Sequence, residues 1–231
     1  MLDMQHRVST CATGAKGVLF DLDGTLVNHF GTLYRCYRDT FVHFGLTPPD
    51  HDTVRRAVGG SMVVTMTRLL PDPALLEPAQ VWWRTRFAEI NLEGAEAMPG
   101  ALWIVKELHA RGLALGVLTN KIGKQSRELC HHLGFGPYLS FVLGAEDTAF
   151  RKPQRAFTEL ALVRLGTTPE TTVIVGDSPY DIEAGRQLGM FAPCVSTGTH
   201  DAVELRGADA DGVYPDLFTL GRVVFGLPKP A

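Results

Sequence analysis

Short apolar runs that alternate with amphipathic segments are the feature that most constrains this chain. Gly17–Phe20 is such a run and ends at an aspartate, and similar runs follow at 113–118, 141–143, 172–175 and 191–195. Between them, apolar residues recur at helical spacing over 101–111, 125–133, 153–165 and 179–188. Strands that are apolar throughout are typical of parallel sheets, whose connecting helices cover both faces. The pattern therefore predicts an α/β fold.

The stretch from Asn28 to Met98 interrupts this alternation. It shows no convincing strand, and its helical patterns cover residues 30–44, 52–58, 61–70 and 79–91. We therefore predict a core of residues 17–27 and 99–225, a helical cap of residues 28–98 and a flexible arm of residues 1–16. The inserted helices either add packing to the core or form a lid over the carboxyl edge of the sheet, where α/β proteins bind ligands.

Composition and charge exclude several classes of protein. The chain has 231 residues, of which 45% are hydrophobic and 20% charged, and its net charge is −3. This balance predicts no basic surface for nucleic acid, and no apolar run reaches the roughly 20 residues that span a bilayer. The first residues lack the apolar segment of a secretory signal, and the four cysteines lack the spacing of a zinc site or a disulfide scaffold. We expect a cytoplasmic protein without nucleic-acid or membrane partners, either a monomer or a homodimer.

Two aspartates follow the first predicted strand. Asp21 ends the apolar run and Asp23 comes two residues later, so an extended backbone would point both side chains to the same side. Two adjacent carboxylates repel each other unless a cation compensates them. The pair is therefore either an acidic turn that caps a helix, or a site for a hard divalent ion such as Mg²⁺ with a nucleophile and an acid/base.

A second acidic group follows the predicted strand at 172–175. Asp177 comes at the end of that strand, and Ser178 and Asp181 begin the next helix. Capping of the helix would explain this group by itself. It would not explain why two strands of one sheet end in aspartates. Because the carboxyl ends of parallel strands meet at one edge, the two acidic groups favour a shared cation.

Two further polar segments lie at predicted strand and helix ends. Thr119 and Asn120 follow the run at 113–118, where they either bind an anion through a hydroxyl and backbone N–H groups or form an ordinary turn. Lys152 precedes a helix whose dipole it opposes, so it faces solvent or compensates anions. Three histidines, in contrast, have no partner at metal-ligand spacing: His131, His132 and His200.

Taken together, these residues resemble the haloacid dehalogenase (HAD) superfamily of aspartate-nucleophile phosphohydrolases. The matching motifs, in chain order, are Asp21 to Thr25, Thr119, Lys152 with Pro153, and Gly176 to Asp181. The residues after Asp181 are similar to the phosphoglycolate-phosphatase-like branch, whose members carry an α-helical cap. The resemblance implies a Rossmann-like parallel sheet core with helices on both faces and an inserted helical cap.

The resemblance also implies a role for each motif residue. Asp21 would attack phosphorus and form an aspartyl-phosphate, and Asp23 would act as the general acid and base. Mg²⁺ would be held by Asp21, Asp177 and the backbone carbonyl of Asp23. Catalysis and binding of the phosphoryl group or substrate would involve Leu22, Asp23, Thr119, Asn120, Lys152 and, from the cap, Gly60. Supporting residues behind them would be Thr25, Ser178 and Asp181.

The implied activity is Mg²⁺-dependent hydrolysis of a small phosphomonoester, a phosphorylated metabolite similar to phosphoglycolate or a sugar phosphate. Haloalkanoate dehalogenases lack the second aspartate of the first motif. Because this aspartate is present here as Asp23, dehalogenation is not the expected activity. Phosphonoacetaldehyde hydrolases need a cap lysine, and no lysine lies between Lys16 and Lys106. A phosphosugar mutase and a non-catalytic phospho-ligand sensor are the alternatives, although Thr25 favours a phosphatase over a mutase.

Selection of the substrate is expected to lie in the predicted cap. Its cations apart from histidine are seven arginines, which could bind a carboxylate or a second phosphate, or could form a solvated helix face. The turn at Gly59, Gly60 and Ser61 resembles the substrate-specificity loop of the family, or is a plain turn between helices.

Overall fold

A parallel sheet forms the centre of the computed structural model, which describes residues 14–229. Its strands are β1 (Gly17–Phe20), β2 (Val27–Asn28), β3 (Glu96–Ala97), β4 (Ala114–Ile122), β5 (Phe141–Ala145), β6 (Thr172–Val175), β7 (Pro193–Val195) and β8 (Gly212–Tyr214). The central sheet has the order β5-β4-β1-β6 and is parallel throughout. Single bridges from β6 to Phe191 and from Gly176 to Cys194 join it to the parallel pair of β7 and β8.

Ten α-helices surround these strands within residues 14–229. They are α1 (Phe30–His43), α2 (His51–Ala57), α3 (Met62–Leu69), α4 (Leu76–Ile90), α5 (Ala101–Ala110), α6 (Gly123–His132), α7 (Arg155–Leu165), α8 (Pro179–Arg186), α9 (Ala202–Gly207) and α10 (Leu217–Phe225). The predicted α/β fold with a parallel sheet is confirmed.

Alternation along β1 places helices on both faces of the sheet. Val18 and Phe20 pack into a buried cluster with α5, α6 and α10, whereas Leu19 packs into a second cluster with α7 and α8. Because successive side chains of a strand point to opposite faces, a strand with a helix layer on each side is apolar at every position. This explains why the run at Gly17–Phe20 is apolar without interruption.

Residues 28–98, which we call the helical insert, have a hydrophobic core of their own. Helices α1 to α4 bury Tyr37, Met66, Trp83 and Phe87 against one another, away from the two clusters that flank the sheet. The chain leaves the core through β2 and returns through β3, which pair in antiparallel fashion. The division into core and cap domains at residues 28 and 98 stays a prediction.

The structure corrects several predicted boundaries. The helical insert was expected to lack strands, but it begins and ends in the β2–β3 pair, which is too short to produce a periodic pattern. The strand expected to end at Leu118 continues as β4 to Ile122, because pairing with β5 resumes there after a shift in register. Helix α7 begins at Arg155 instead of at Pro153, and β7 begins at Pro193 instead of at Phe191.

The remaining expectations concern the chain's surroundings and its first residues. Cys36, Cys130 and Cys194 are buried and free, whereas Cys11 and most of the arm predicted at 1–16 lie outside the described residues. Among the helices of residues 14–229, none combines the length and the apolar character needed to cross a bilayer.

Candidate active site

Three aspartates meet at the carboxyl edge of the central sheet. Asp21 directly follows β1, Asp177 follows β6, and Asp181 lies in the first turn of α8. One carboxylate oxygen from each lies within 4.8 Å of the other two, and Asp177 and Asp181 are fully buried. The expectation that two strand ends bring their acidic residues together therefore describes this edge correctly.

Lys152 lies between two of these carboxylates. Its Nζ atom is 2.8 Å from Asp21 Oδ1 and 2.6 Å from Asp181 Oδ1, and its side chain is 1% exposed. Of the two interpretations of this lysine, compensation of anions is therefore correct and exposure to solvent is wrong. The lysine backbone is held by Asn120, whose Oδ1 accepts from Lys152 N at 2.8 Å and whose Nδ2 donates to Lys152 O at 3.1 Å.

The carboxylate cluster contains more negative charge than one lysine can balance. Burial raises the pKa of Asp21 to about 6; the charge of Lys152 opposes this rise, and the nearby charge of Asp181 adds to it. Burial, together with the charges of Asp21 and Asp181, raises the pKa of Asp177 well above its usual range. Burial by itself would lower the pKa of Lys152, but the two aspartates raise it above its usual value. The cluster is therefore short of positive charge.

Asp177 is enclosed by backbone and hydroxyl groups. Its Oδ1 accepts from Thr25 Oγ1 at 3.2 Å, and its Oδ2 accepts from Thr199 N at 3.2 Å. A Cβ atom on Gly24, where φ is +85°, would lie 2.6 Å from Asp177 Oδ2, and a Cβ on Gly198 would overlap the same oxygen. Only glycines allow the chain to approach this carboxylate so closely.

The donor set fits a hard divalent cation. Carboxylate and carbonyl oxygens are the ligands that Mg²⁺ and Ca²⁺ prefer, and the raised pKa values of Asp21 and Asp177 reflect burial and crowded negative charge that one lysine only partly offsets. Asp181 is the third carboxylate of the cluster. It also accepts from Ser178 N at 3.1 Å and Ser178 Oγ at 2.5 Å, so Asp181 and Ser178 together cap α8.

Asp23 pairs with a different lysine. Its two carboxylate oxygens lie 3.0 and 3.2 Å from Lys121 Nζ, which also lies 3.1 Å from Nδ1 of the buried His29. Burial, and then the charge of Lys121, lower the pKa of His29 to about 3, so this ring is neutral and Nδ1 accepts a hydrogen bond. Nζ of Lys121 also lies 4.7 Å from the centre of the Phe87 ring. Asp21 and Asp23 thus belong to separate ion pairs.

A cavity of about 240 Å³ separates the core from the helical insert at this edge. Asp21 and Asp23 both line it, as the same-side prediction requires. The other lining residues from the core include Thr119, Asn120, Lys121, Asp177, Ser178, Thr197, Gly198 and Thr199. The insert contributes Phe30, Leu33, Arg55, Val58, Gly59 and Gly60 among others. A cavity lined by both apolar and charged side chains is typical of a small-molecule site.

Several predicted residues lie just behind this cavity. Leu22 is buried in the core, and its backbone forms a hydrogen bond with the carboxyl group of Asp21. Thr25 and Lys152 contact the lining aspartates from behind, and Asp181 contacts Lys152. Thr119, in contrast, lines the cavity, and its hydroxyl accepts from Lys121 N at 3.2 Å. His131 and His132 are exposed on α6, and His200 contacts Thr199 Oγ1.

Sequence reasoning missed two parts of the site. Residues 197–199 lie beside Asp177, and Thr197 Oγ1 donates to Gly24 O at 2.7 Å. A run of small polar residues just after β7, at the same sheet edge, is the signal that could have identified them. Lys121 and His29 had no comparable signal, because their contact joins residues 92 positions apart.

A match to a family model decides the classification of this chain. Residues 18–195 match the model described as haloacid dehalogenase-like hydrolase. The chain belongs to this family. A phosphoglycolate phosphatase of Rhodospirillum rubrum is 32% identical over 226 residues, which cover 93% of this chain and 92% of that protein. Because phosphatases of this kind match nearly the whole length of this chain, the chain is a phosphatase, a hydrolase of phosphoric monoesters.

Solved structures of HAD-like proteins share the fold. A predicted phosphoglycolate phosphatase from Haemophilus somnus superposes with a TM-score of 0.82 at 22% identity, covering 88% of this chain and 95% of that one. CbbY from Rhodobacter sphaeroides, solved in complex with phosphate, superposes with a TM-score of 0.77 at 23% identity, covering 90% and 96%. These similarities confirm the predicted fold.

Proposed function

We propose that this family member is a Mg²⁺-dependent phosphatase that hydrolyses a small phosphomonoester through an aspartyl-phosphate. Its substrate would be a phosphorylated metabolite similar to phosphoglycolate or a sugar phosphate, and its location the cytoplasm. The observation that carries the proposal is the buried group formed by Asp21, Asp177, Asp181 and Lys152 at the sheet edge, open to a cavity of about 240 Å³.

Asp21 is the proposed nucleophile. With a pKa of about 6 it is mostly ionised at neutral pH, and Lys152 at 2.8 Å holds one oxygen in place. The other oxygen is then available to form the bond to phosphorus while the bond to the leaving alkoxide breaks. Asp181 anchors Lys152 from the opposite side, so the lysine keeps its position when the charge on Asp21 is consumed.

Asp23 is the proposed general acid and base. Its carboxyl group lines the same cavity, so it can donate a proton to the leaving oxygen and later accept one from the water that hydrolyses the aspartyl-phosphate. Lys121 and His29 restrict the orientations of this carboxyl group. Asp21 and Asp23 can perform separate roles because different lysines hold them.

The proposed metal ligands are the Asp21 and Asp177 carboxylates and the backbone carbonyl of Asp23. When bound, Mg²⁺ would neutralise charge on the phosphoryl group, which otherwise repels an anionic nucleophile. Thr25, Thr199 and the close approach of Gly24 and Gly198 fix Asp177 for this purpose.

Other residues around the cavity would bind the phosphoryl oxygens and the leaving group. We assign the phosphoryl oxygens to Thr119, Lys152 and the backbone N–H groups of Leu22 and Asn120. The helical insert would exclude water and contact the leaving group, with Gly60 on the cavity wall. A Cβ on Gly60 would lie 2.9 Å from Val64 Cγ1, so a larger residue would have to displace this wall.

The proposed activity is tested by phosphate release from a panel of phosphorylated metabolites and an aryl phosphate. Activity that EDTA removes and Mg²⁺ restores is expected, with 2-phosphoglycolate and small sugar phosphates among the substrates. Retention of a bisphosphate through two transfers would instead identify a mutase. A chain that binds phosphorylated ligands with no turnover in Mg²⁺ would be a sensor, and the proposed function would be wrong.

Mg²⁺ is expected to bind more tightly as the pH rises from about 5 to about 7.5. With a pKa of about 6, Asp21 is largely protonated at the lower pH, and the pKa of Asp177 is raised as well, so a metal must compete with protons for these carboxylates. Deprotonation above pH 6 removes this competition for Asp21. Isothermal titration calorimetry at the two pH values measures the affinity.

The same titration distinguishes the cluster from unspecific binding. Asp177→Asn is expected to weaken Mg²⁺ binding at least tenfold, whereas Asp52→Asn, on an exposed side chain, is expected to leave it unchanged. An affinity that survives Asp177→Asn would remove Asp177 from the proposed ligands, and an affinity that does not change with pH would contradict binding by these two carboxylates.

A further inference from the structure

The arginines of the helical insert differ in the partners that hold them. Five of the seven are engaged away from the cavity wall. Their contacts are Arg35 with Glu93, Arg38 with Asp39, Arg68 with Ala57 O and Tyr180 Oη, Arg84 with Glu146, and Arg86 with Asp39 and Glu89. These contacts stabilise the insert or join it to the core, and none of the five lines the cavity.

The remaining two, Arg55 and Arg56, are consecutive residues of α2 with different surroundings. Both are exposed, but only Arg55 lines the cavity. Its Nη2 atom donates to Gly198 O at 2.9 Å, across the boundary between the helical insert and the core. Gly198 in turn packs against the Asp177 carboxylate. The Arg55 guanidinium therefore lies on the wall near the proposed phosphoryl site.

Arg55 carries a charge that no carboxylate in the described cavity wall neutralises. Lys121 is the other lysine or arginine of the described wall, and its Nζ atom contacts both carboxylate oxygens of Asp23 and His29 Nδ1. Within residues 14–229, the ion pairs do not include Arg55, and its bond to Gly198 uses one nitrogen and a neutral carbonyl. Its other N–H groups are available for a ligand.

The rest of the insert's wall offers no second guanidinium and no ammonium group. Its side chains include the apolar Phe30, Leu33 and Val58 and the polar Asn28 and His29, and the two glycines at 59 and 60 have no side-chain donors. Nδ1 of His29 is already in contact with Lys121 Nζ. A guanidinium can donate two parallel hydrogen bonds to a carboxylate or a phosphate. An uncharged leaving group could form single hydrogen bonds with Asn28, but it would not gain a paired contact with a charged group from this wall.

We infer that Arg55 determines specificity by binding an anionic group on the leaving group, so that the enzyme prefers phosphomonoesters that carry a second negative charge. The inference rests on the proposed function and names the substrate class of the same site. The anion is a carboxylate or a second phosphate, both of which fit the guanidinium in the same way.

The experiment compares three substrates that differ only in the group at the far end. They are 2-phosphoglycolate, 2-hydroxyethyl phosphate and the bisphosphate of ethane-1,2-diol. The wild type is expected to show a higher kcat/KM for an anionic substrate than for 2-hydroxyethyl phosphate. Arg55→Met is expected to lower kcat/KM for that anionic substrate by about 10- to 100-fold and for the hydroxyethyl ester by about threefold or less. Whichever anionic substrate responds identifies the source of the negative charge.

Arg56→Met is the matched control, because it removes an adjacent exposed arginine that lies outside the cavity wall. It is expected to change none of the three values. A second measurement needs no variant: 3-phosphonopropionate should inhibit the wild type more strongly than propylphosphonate, which lacks the carboxylate. Inhibition of equal strength by the two phosphonates would contradict the recognition of a carboxylate.

The failures of the two proposals are distinguishable. If the wild type hydrolyses an aryl phosphate but treats the three substrates alike, Arg55 does not select an anion and the proposed function stands. If Arg55→Met lowers all three values equally, the arginine acts through its contact with Gly198 and the inference is overturned. If the wild type hydrolyses no phosphomonoester in Mg²⁺, both proposals are wrong.

Discussion

Asp21→Asn is expected to reduce turnover at least about 1,000-fold while the protein still folds. The substitution keeps the size of the side chain and removes the charge that attacks phosphorus. It also removes one of three crowded carboxylates, whose pKa of about 6 shows that its ionised form is disfavoured in the folded chain. Steady-state hydrolysis of an aryl phosphate measures the loss.

The stability of the same variant provides an independent check. A carboxyl group with a raised pKa in the folded state contributes its full stability below the unfolded pKa of 3.8 and loses it as the pH rises through about 6. At pH 7.5 without metal, Asp21→Asn is therefore expected to have a Tm equal to or above that of the wild type. Asp52→Asn, which changes an exposed aspartate, is the control for the Tm measurement. Hydrolysis above a few per cent of the wild type would show that Asp21 is not the nucleophile.

Lys152→Met is expected to remove activity and to destabilise the fold by about 3–5 kcal/mol at neutral pH. The methionine fills a similar volume but leaves the carboxylates of Asp21 and Asp181 without the ammonium that now contacts both. The loss of stability should be smaller at pH 5 than at pH 8, because protonation removes the repulsion between the carboxylates. Urea denaturation at the two pH values measures the difference.

Two further variants test whether the lost positive charge causes the loss of stability. Lys124→Met, on an exposed lysine of α6, is expected to leave stability and activity unchanged. In the double variant Lys152→Met/Asp181→Asn one carboxylate is neutralised as well, so part of the lost stability should return without the activity. A double variant that is less stable than Lys152→Met would contradict the assignment of Lys152 as the cation that balances this cluster.

The order of strands and helices could be predicted because it depends on local patterns. A strand covered on both faces is apolar throughout, as Gly17–Phe20 is, and a helix that covers one face repeats its apolar residues every three or four positions. Aspartates at the ends of two parallel strands must then approach the same edge. Fold and location of the acidic site therefore followed from the sequence by itself.

The partners of the side chains were decided only by the tertiary structure. The interpretation that placed Lys152 in solvent and the one that paired it with anions were both compatible with its position before a helix. Its burial between Asp21 and Asp181 is what separates them. In the same way, the carboxylate of Asp177 faces Thr25 and Thr199, and the Asn120 side chain holds the Lys152 backbone.

The arginines of the helical insert show most clearly what only the tertiary structure decided. In the sequence, Arg55 and Arg56 are adjacent and equivalent, yet a difference of one position along α2 turns one toward the cavity and Gly198 and leaves the other outside the cavity wall. Local spacing sets the face of a helix on which a residue lies, but the way that helix packs against the core sets what the face meets. Contacts such as the one from Arg55 to Gly198, 143 positions apart, exist only once the insert and the core are assembled.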